Sequence, residues 1–238
     1  MDAVIFDLFG TLVPNLEPTA WKRVVEEMAG ALDADPAPFE EEWHKGFVAR
    51  MDGTLPDGKA QFASILAALG LPVDAERMRR ASEIRRRFME DALAPRKSAL
   101  TTLDALVERG LKLALATDCS TETPELLDRT PLGSYFSVRA CSAALGVRKP
   151  DPAIYRHILE ELGLQGRRCL YVGDGNSEEL PGARRHGMIT VWLDNGDEQY
   201  WEERFAPGGE YTIRELGELP GIVAEIRGEG DLREGTGG

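Results

Sequence analysis

Four side chains in this sequence stand where chemistry could be organised: Asp7, Thr117, Lys149 and Asp174. Asp7 closes the run Ala3-Val4-Ile5-Phe6, and Gly10 follows three residues later. A continuous apolar run closed by a turn signal predicts a strand buried on both faces of a parallel sheet. Thr117 closes a second such run from Leu111, and Asp174 another from Cys169. Lys149 lies in the loop Gly146-Val147-Arg148-Lys149-Pro150-Asp151-Pro152, just before a helix. Open α/β sheets gather their ligands at the carboxyl ends of the strands, so all four groups would meet at one edge. A strand-end carboxylate is costly to bury unless something pairs with it. Taken singly, each has an ordinary reading: a turn aspartate for Asp7 and Asp174, a structural hydroxyl for Thr117, a solvated loop charge for Lys149.

The elements that must position them alternate between strand and helix, which predicts an α/β fold with a parallel sheet. Further strands are expected at Val138–Cys141 and Ile189–Leu193, with a last edge strand at Glu210–Thr212 and a helix over Ile213–Ile226. Between the first strand and the rest, only helical patterning is found. Trp21, Val24, Val25 and Met28 recur at helical spacing behind Thr19, a reasonable N-cap. Phe39, Trp43, Phe47 and Met51 form a second stripe, Ala60–Leu69 a third helix stopped by Gly70, and residues 74–93 a fourth. The chain therefore divides into a core of residues 1–14 and 95–226 and an all-helical insert of residues 15–94. Residues 227–238, rich in glycine and charge, are expected to be a disordered tail.

Bulk properties narrow the function. A chain of 238 residues with 42% hydrophobic and 29% charged residues is long enough to bury a real core. A formal net charge of −13 argues against a nucleic-acid or anionic-membrane partner, though not against a small anionic substrate. No apolar run approaches the roughly 18 residues of a membrane span. The N-terminus has no basic stretch ahead of its apolar run, so no signal peptide is expected. Cys119, Cys141 and Cys169 are widely spaced with no CxxC, which disfavours a disulfide framework or zinc site and fits a reducing cytoplasm. The arginines at 77, 79, 80, 85, 86 and 87 share a helix with Glu76, Glu83 and Glu90 and read as a solvated, salt-bridged face.

Phe6-Asp7-Leu8-Phe9-Gly10-Thr11-Leu12 resembles the first motif of the haloacid dehalogenase superfamily. Thr117, Arg148-Lys149-Pro150-Asp151-Pro152 and Val172-Gly173-Asp174-Gly175 resemble its other three, in the right order and across nearly the whole core. The resemblance implies a Rossmann-like parallel sheet with helices on both faces and an inserted helical cap of the first type. It implies Asp7 as a nucleophile that forms an aspartyl-phosphate. It implies Mg2+ held by Asp7, the Phe9 backbone carbonyl and Asp174, with Glu179, or Glu178 one residue earlier, as a further acidic partner. Lys149 would hold Asp7 and a phosphoryl oxygen together, while Thr117 and the amides of Leu8 and Asp118 would bind the remaining oxygens.

One position departs from the pattern. Family phosphatases carry a second aspartate two residues after the nucleophile, as general acid and base, and here that residue is Phe9. Three functions follow from the resemblance. The first is a magnesium-dependent phosphatase for a small phosphorylated metabolite. The second is a 2-haloacid dehalogenase working through an aspartyl ester, which needs no leaving-group acid and so suits Phe9. Asp174, however, stands where dehalogenases have serine, and Trp43-His44 lacks their arginine. The third is a catalytically weak phosphate-binding regulatory protein.

Overall fold

The structure, a computed structural model, describes residues 1–196 and 208–229. One parallel sheet holds β1 (Ala3–Phe6), β2 (Lys112–Thr117), β3 (Val138–Cys141), β4 (Cys169–Gly173), β5 (Ile189–Leu193) and β6 (Tyr211–Ile213), in the order β3-β2-β1-β4-β5-β6. The chain runs outward from β1 to β3, then returns to the other side of β1 and runs outward again. The strand order therefore reverses at β1, and such a switch point opens a crevice at the carboxyl edge. Phe6 stands opposite Leu115 on one side and Val172 on the other. That register sends Asp7, Thr117 and Asp174 out of adjacent strands at one edge.

Alternation along the strands builds a core on each face. Val4, Phe6, Leu115 and Val172 pack with Leu103 and Leu106 of α6 (Ala99–Glu108) and Leu219 and Val223 of α11 (Leu219–Arg227). Ala3, Ile5, Ala116 and Tyr171 pack on the other face with Ile154, Tyr155 and Ile158 of α9 (Pro152–Leu162) and Leu180 and Ala183 of α10 (Glu179–Arg185). Each fully buried Leu, Val, Ile or Phe contributes about 1.5–3 kcal/mol. Short helices α7 (Thr123–Asp128) and α8 (Ser142–Leu145) follow β2 and β3.

Between β1 and α6 lie α1 (Pro18–Ala31), α2 (Pro36–Lys45), α3 (Phe47–Met51), α4 (Gly58–Ala68) and α5 (Ala75–Ala92). They enclose a third core of Trp21, Val25, Met28, Phe39, Trp43, Phe62, Ile65 and Leu66. No helix among the described residues is long and apolar enough to cross a membrane.

Several boundaries differ from the sequence reading. The cap of α1 is Glu17, whose carboxylate accepts from the amides of Thr19 and Ala20, so Thr19 lies inside the helix. Pro18 has no N–H to satisfy and fits the first turn. The stripe from Phe39 to Met51 is broken at Gly46, giving α2 and α3 instead of one helix. At the far end β6 is shifted one residue, and Ile213 is strand. Pro220 cannot serve inside a helix begun at Ile213; a 3-10 turn over Leu216–Glu218, closed by a capping box between Glu215 and Glu218, comes first, and α11 begins at Leu219 with Pro220 in its first turn. Arg227 is the last residue of α11 and donates to the Met1 carbonyl, while most of the expected tail lies outside the described residues.

Candidate active site

Asp7 and Lys149 are 142 residues apart in sequence, yet Lys149 Nζ lies 2.5 Å from Asp7 Oδ1. The same ammonium lies 2.6 Å from Glu179 Oε2, and all three side chains are buried. Lys149 is aimed by its loop: its backbone N–H donates to Asp118 Oδ1 at 2.9 Å, and Asp151, two residues on, caps α9 through the Ala153 amide. Glu179 is held in turn. Tyr171 donates its hydroxyl to Oε2 at 3.0 Å, and the Gly175 amide donates to Oε1 at 3.1 Å. Thr11 donates to Asp7 Oδ2 at 3.2 Å.

Charge in this pocket is unbalanced. Burial pushes the Asp7 carboxyl up, with Lys149 pulling against it. Burial likewise pushes Glu179 up to about 8, opposed by Lys149 and reinforced by Asp7 and Asp174. Burial disfavours the Lys149 charge, but Asp7 and Glu179 outweigh it and hold the ammonium well above its usual range. One firm cation thus faces a surplus of carboxylate.

Asp174 makes the surplus larger. Its carboxyl is pushed up to about 6 by burial and then by the negative charge of Asp7. Its oxygens accept from the Asn176 amide at 3.0 Å, the Asn176 side chain at 2.7 Å and Asn15 at 3.1 Å. Gly10 permits this approach: its φ is +84°, and a Cβ there would sit 2.1 Å from Asp174 Oδ2. The Gly10 turn is held by Arg96 and Asn195, both donating to its carbonyl.

Asp7, Asp174 and Glu179 each place a carboxylate oxygen within 4.8 Å of the others. Both Glu179 oxygens are already engaged by donors, whereas among the described residues the Phe9 carbonyl accepts no hydrogen bond. Crowded, partly unsatisfied oxygens of this kind fit a hard divalent cation.

The remaining sequence candidates fall nearby. Thr117 ends β2, buried, with its hydroxyl 3.5 Å from the Asp118 carbonyl, too long for a strong hydrogen bond. It makes no hydrogen bond to Asp7 among the described residues. Glu178 stays out of the carboxylate cluster; it and Ser177 adopt left-handed backbone with φ of +48° and +54°. Such strain in non-glycine residues gathers at functional sites.

Asp7, Phe9, Asp118, Lys149 and Glu178 face a crevice of about 840 Å³ between the sheet edge and the helical insert. Trp21, Trp43, Phe47, Arg50, Arg85 and Met89 line the insert side. Here the reading of the arginine run needs correction. Arg79, Arg86 and Arg87 pair with Glu76 and Glu83 on the exposed face as expected. Arg85 instead turns inward, donating to Glu122 at 2.7 Å and Ser120 at 3.0 Å across to the core. The signal was present in the spacing: Ala81, Arg85 and Met89 are the buried i, i+4 stripe of α5. Thr11, Asn15 and Tyr171 were also missed, and no local pattern distinguishes them from ordinary polar residues of a turn or strand.

Comparison with known proteins adds a second line. The haloacid dehalogenase-like hydrolase family pattern matches residues 1–187. A glyceraldehyde 3-phosphate phosphatase from Methanopyrus kandleri is 28% identical over 94% of this chain and 97% of its own length. A phosphoglycolate phosphatase from Rhodospirillum rubrum is 32% identical over 82% of this chain and 80% of its own. Among solved structures, a 2-haloacid dehalogenase from Pseudomonas syringae superposes with a TM-score of 0.69 at 22% identity, covering 94% of this chain and 99% of that one.

Proposed function

Since the chain belongs to the haloacid dehalogenase-like hydrolases, we propose that it is a magnesium-dependent phosphatase acting on a small phosphorylated metabolite. The observation that carries this reading is Asp174, a carboxylate buried against the carboxylate of Asp7. Two negative groups so placed repel each other and are explained by a cation between them; displacement of halide at carbon has no use for the second one. The relatives that align over most of the chain bear phosphatase names. The dehalogenase likeness, at 22% identity, carries the fold alone.

In this mechanism an Asp7 oxygen attacks phosphorus, the P–O bond to the leaving group breaks, and an aspartyl-phosphate remains for water to hydrolyse. Lys149 neutralises the approach of one anion to another. Thr117 and the amides of Leu8 and Asp118 take the other phosphoryl oxygens. Asp7, Asp174 and the Phe9 carbonyl would hold the metal, which when bound supplies positive charge to the phosphoryl group. Glu179, whose carboxylate accepts from Lys149, Tyr171 and Gly175, fixes the lysine and stands as the further acidic partner of the metal. Phe9 offers no proton, so leaving groups that need none are the best served.

Residues 15–94 act as a cap over the core of residues 1–14 and 95–226, opening to admit substrate and closing to exclude water. The acidic surface suits neither nucleic acid nor membrane as partner. A reducing cytoplasm suits the free, buried Cys119, Cys141 and Cys169.

The test is phosphate release across a panel of phosphoesters, with and without magnesium, with Asp7→Asn as the blank. Magnesium-dependent release absent from the variant supports the reading. Halide release from 2-haloacids without phosphate release would replace it with the dehalogenase alternative. Tight phosphate binding without turnover would replace it with the regulatory one.

A further inference from the structure

We propose that Arg50 and Arg85 form a second anion site on the insert side of the crevice, so that the preferred substrate carries an oxyanion at the end remote from the reacting phosphoryl group. The inference rests on the phosphatase reading for the first end of the substrate and goes beyond it for the second.

Both arginines are almost fully buried, with 4% and 7% of their surface exposed, and both line the crevice that holds Asp7 and Lys149. Their guanidinium carbons lie 4.4 and 4.9 Å from the centre of the Trp43 ring. A ring face stabilises a desolvated guanidinium and sets its plane. Arg85 has a carboxylate partner in Glu122. Arg50 does not. Its Nη1 donates to the Trp43 carbonyl at 2.6 Å, and with the Gln61 amide turned to place its oxygen toward the guanidinium, that oxygen accepts from Nη1 at 2.8 Å and Nε at 3.2 Å. Those acceptors are neutral, and among the described residues no carboxylate pairs with Arg50.

Burial and the neighbouring charge of Arg85 accordingly both work against the Arg50 cation. Two buried cations therefore share one carboxylate, an arrangement that a ligand anion completes. Among the described residues Arg50 Nη2 and Arg85 Nη1 make no hydrogen bond, so each guanidinium keeps one amino group for a ligand oxygen. The crevice volume far exceeds a phosphoryl group, and Trp21, Phe47 and Met89 supply an apolar wall for the carbon stem between the two charged ends.

The experiment compares three phosphate monoesters of one carbon length, ending in a carboxylate, a second phosphate or an alcohol. With full-length wild-type protein and magnesium, kcat/KM for the better of the two oxyanion-ended esters should exceed that for the alcohol by about tenfold or more, chiefly through KM. Arg50→Gln should collapse that ratio to near one, and Arg50→Lys should restore part of it. Equal handling of all three esters by a wild-type enzyme that releases phosphate overturns the inference and leaves the phosphatase reading intact. Should no ester release phosphate, calorimetric titration of Asp7→Asn with the same three compounds decides. Tighter binding of an oxyanion-ended ester, lost in Asp7→Asn/Arg50→Gln, upholds the second site while the phosphatase reading fails. Equal binding of all three sinks the site. A folded Arg50→Gln that loses activity on all three in proportion assigns Arg50 to holding the insert together and also overturns the inference.

Discussion

Lys149 Nζ and Asp7 Oδ1 stand 2.5 Å apart with 3% and 7% of their side chains exposed. A buried ion pair is poor evidence of net stability, but breaking it by removing one partner leaves a buried charge and costs about 3–5 kcal/mol. Lys149→Met should be more damaging than usual, because Asp7, Asp174 and Glu179 would then crowd together without the ammonium. For a chain of this size the melting temperature of the metal-free protein should fall by roughly 6–20 °C. Calorimetry on Lys149→Met beside the double variant Lys149→Met/Glu179→Gln checks the cause. Removing the second charge should recover part of the loss, and a further fall would contradict the electrostatic account.

Asp7→Asn should abolish turnover, by at least about 10³-fold, since an amide cannot replace a carboxylate nucleophile. The fold should survive. Lys149 retains Glu179 at 2.6 Å, and the single amide oxygen of Asn can accept from either Lys149 or Thr11, which Asp7 binds on separate oxygens. Phosphate release together with far-ultraviolet circular dichroism measures both halves of the statement. A folded variant with residual activity near wild type would remove Asp7 from the mechanism.

Legibility in the sequence followed the range of the interaction. β1, β2 and β4 were readable because a buried parallel strand is a nearly unbroken apolar run, and Asp7, Thr117 and Asp174 announce themselves by ending those runs. Lys149 was readable from its loop, but its contact with Glu179 crosses 30 residues and emerges only when β4 lies beside β1. Arg85 was hidden by composition, one inward arginine among several outward ones. The break at Gly46 was hidden because Trp43 and Phe47 keep helical spacing across it.

Gly10→Ala tests how closely the turn approaches the second carboxylate. The new Cβ would lie 2.1 Å from Asp174 Oδ2 at a φ of +84°, so both the backbone and the aspartate must give way. Left-handed backbone at a non-glycine residue alone costs on the order of 1–2 kcal/mol. The expected result is a melting temperature lower by several degrees and activity lost beyond that explained by unfolding at the assay temperature. A variant as active as wild type would show that Asp174 need not sit against this turn.

Asp174→Asn should weaken the metal site without dismantling it. Asn15 and Asn176 hold the wild-type carboxylate, and Asn176 can be re-paired by the new amide oxygen. The like-charge strain with Asp7 disappears, so the metal-free variant should melt higher than metal-free wild type. Magnesium should raise the melting temperature of wild type and do so much less for the variant, because metal binding to the folded state is linked to its stability. Activity should require magnesium at concentrations about tenfold or more above those for wild type. Identical magnesium titrations for the two proteins would place the cation elsewhere.

Phe9→Asp asks what the position two residues after Asp7 withholds. Phe9 lines the crevice beside Asp7, where a carboxyl group could reach the leaving oxygen. A general acid contributes about 10²–10⁴-fold, and contributes most to the poorest leaving groups. Alkyl phosphates should therefore gain about tenfold or more in kcat/KM, whereas p-nitrophenyl phosphate, whose leaving group needs no proton, should change by less than about threefold. The comparison between the two esters matters more than either rate, because added negative charge near Asp7 would slow both alike. A gain confined to the alkyl ester identifies protonation as the step that Phe9 leaves unassisted. An equal loss on both would reflect the added charge alone and would remove unassisted protonation as the step that Phe9 limits.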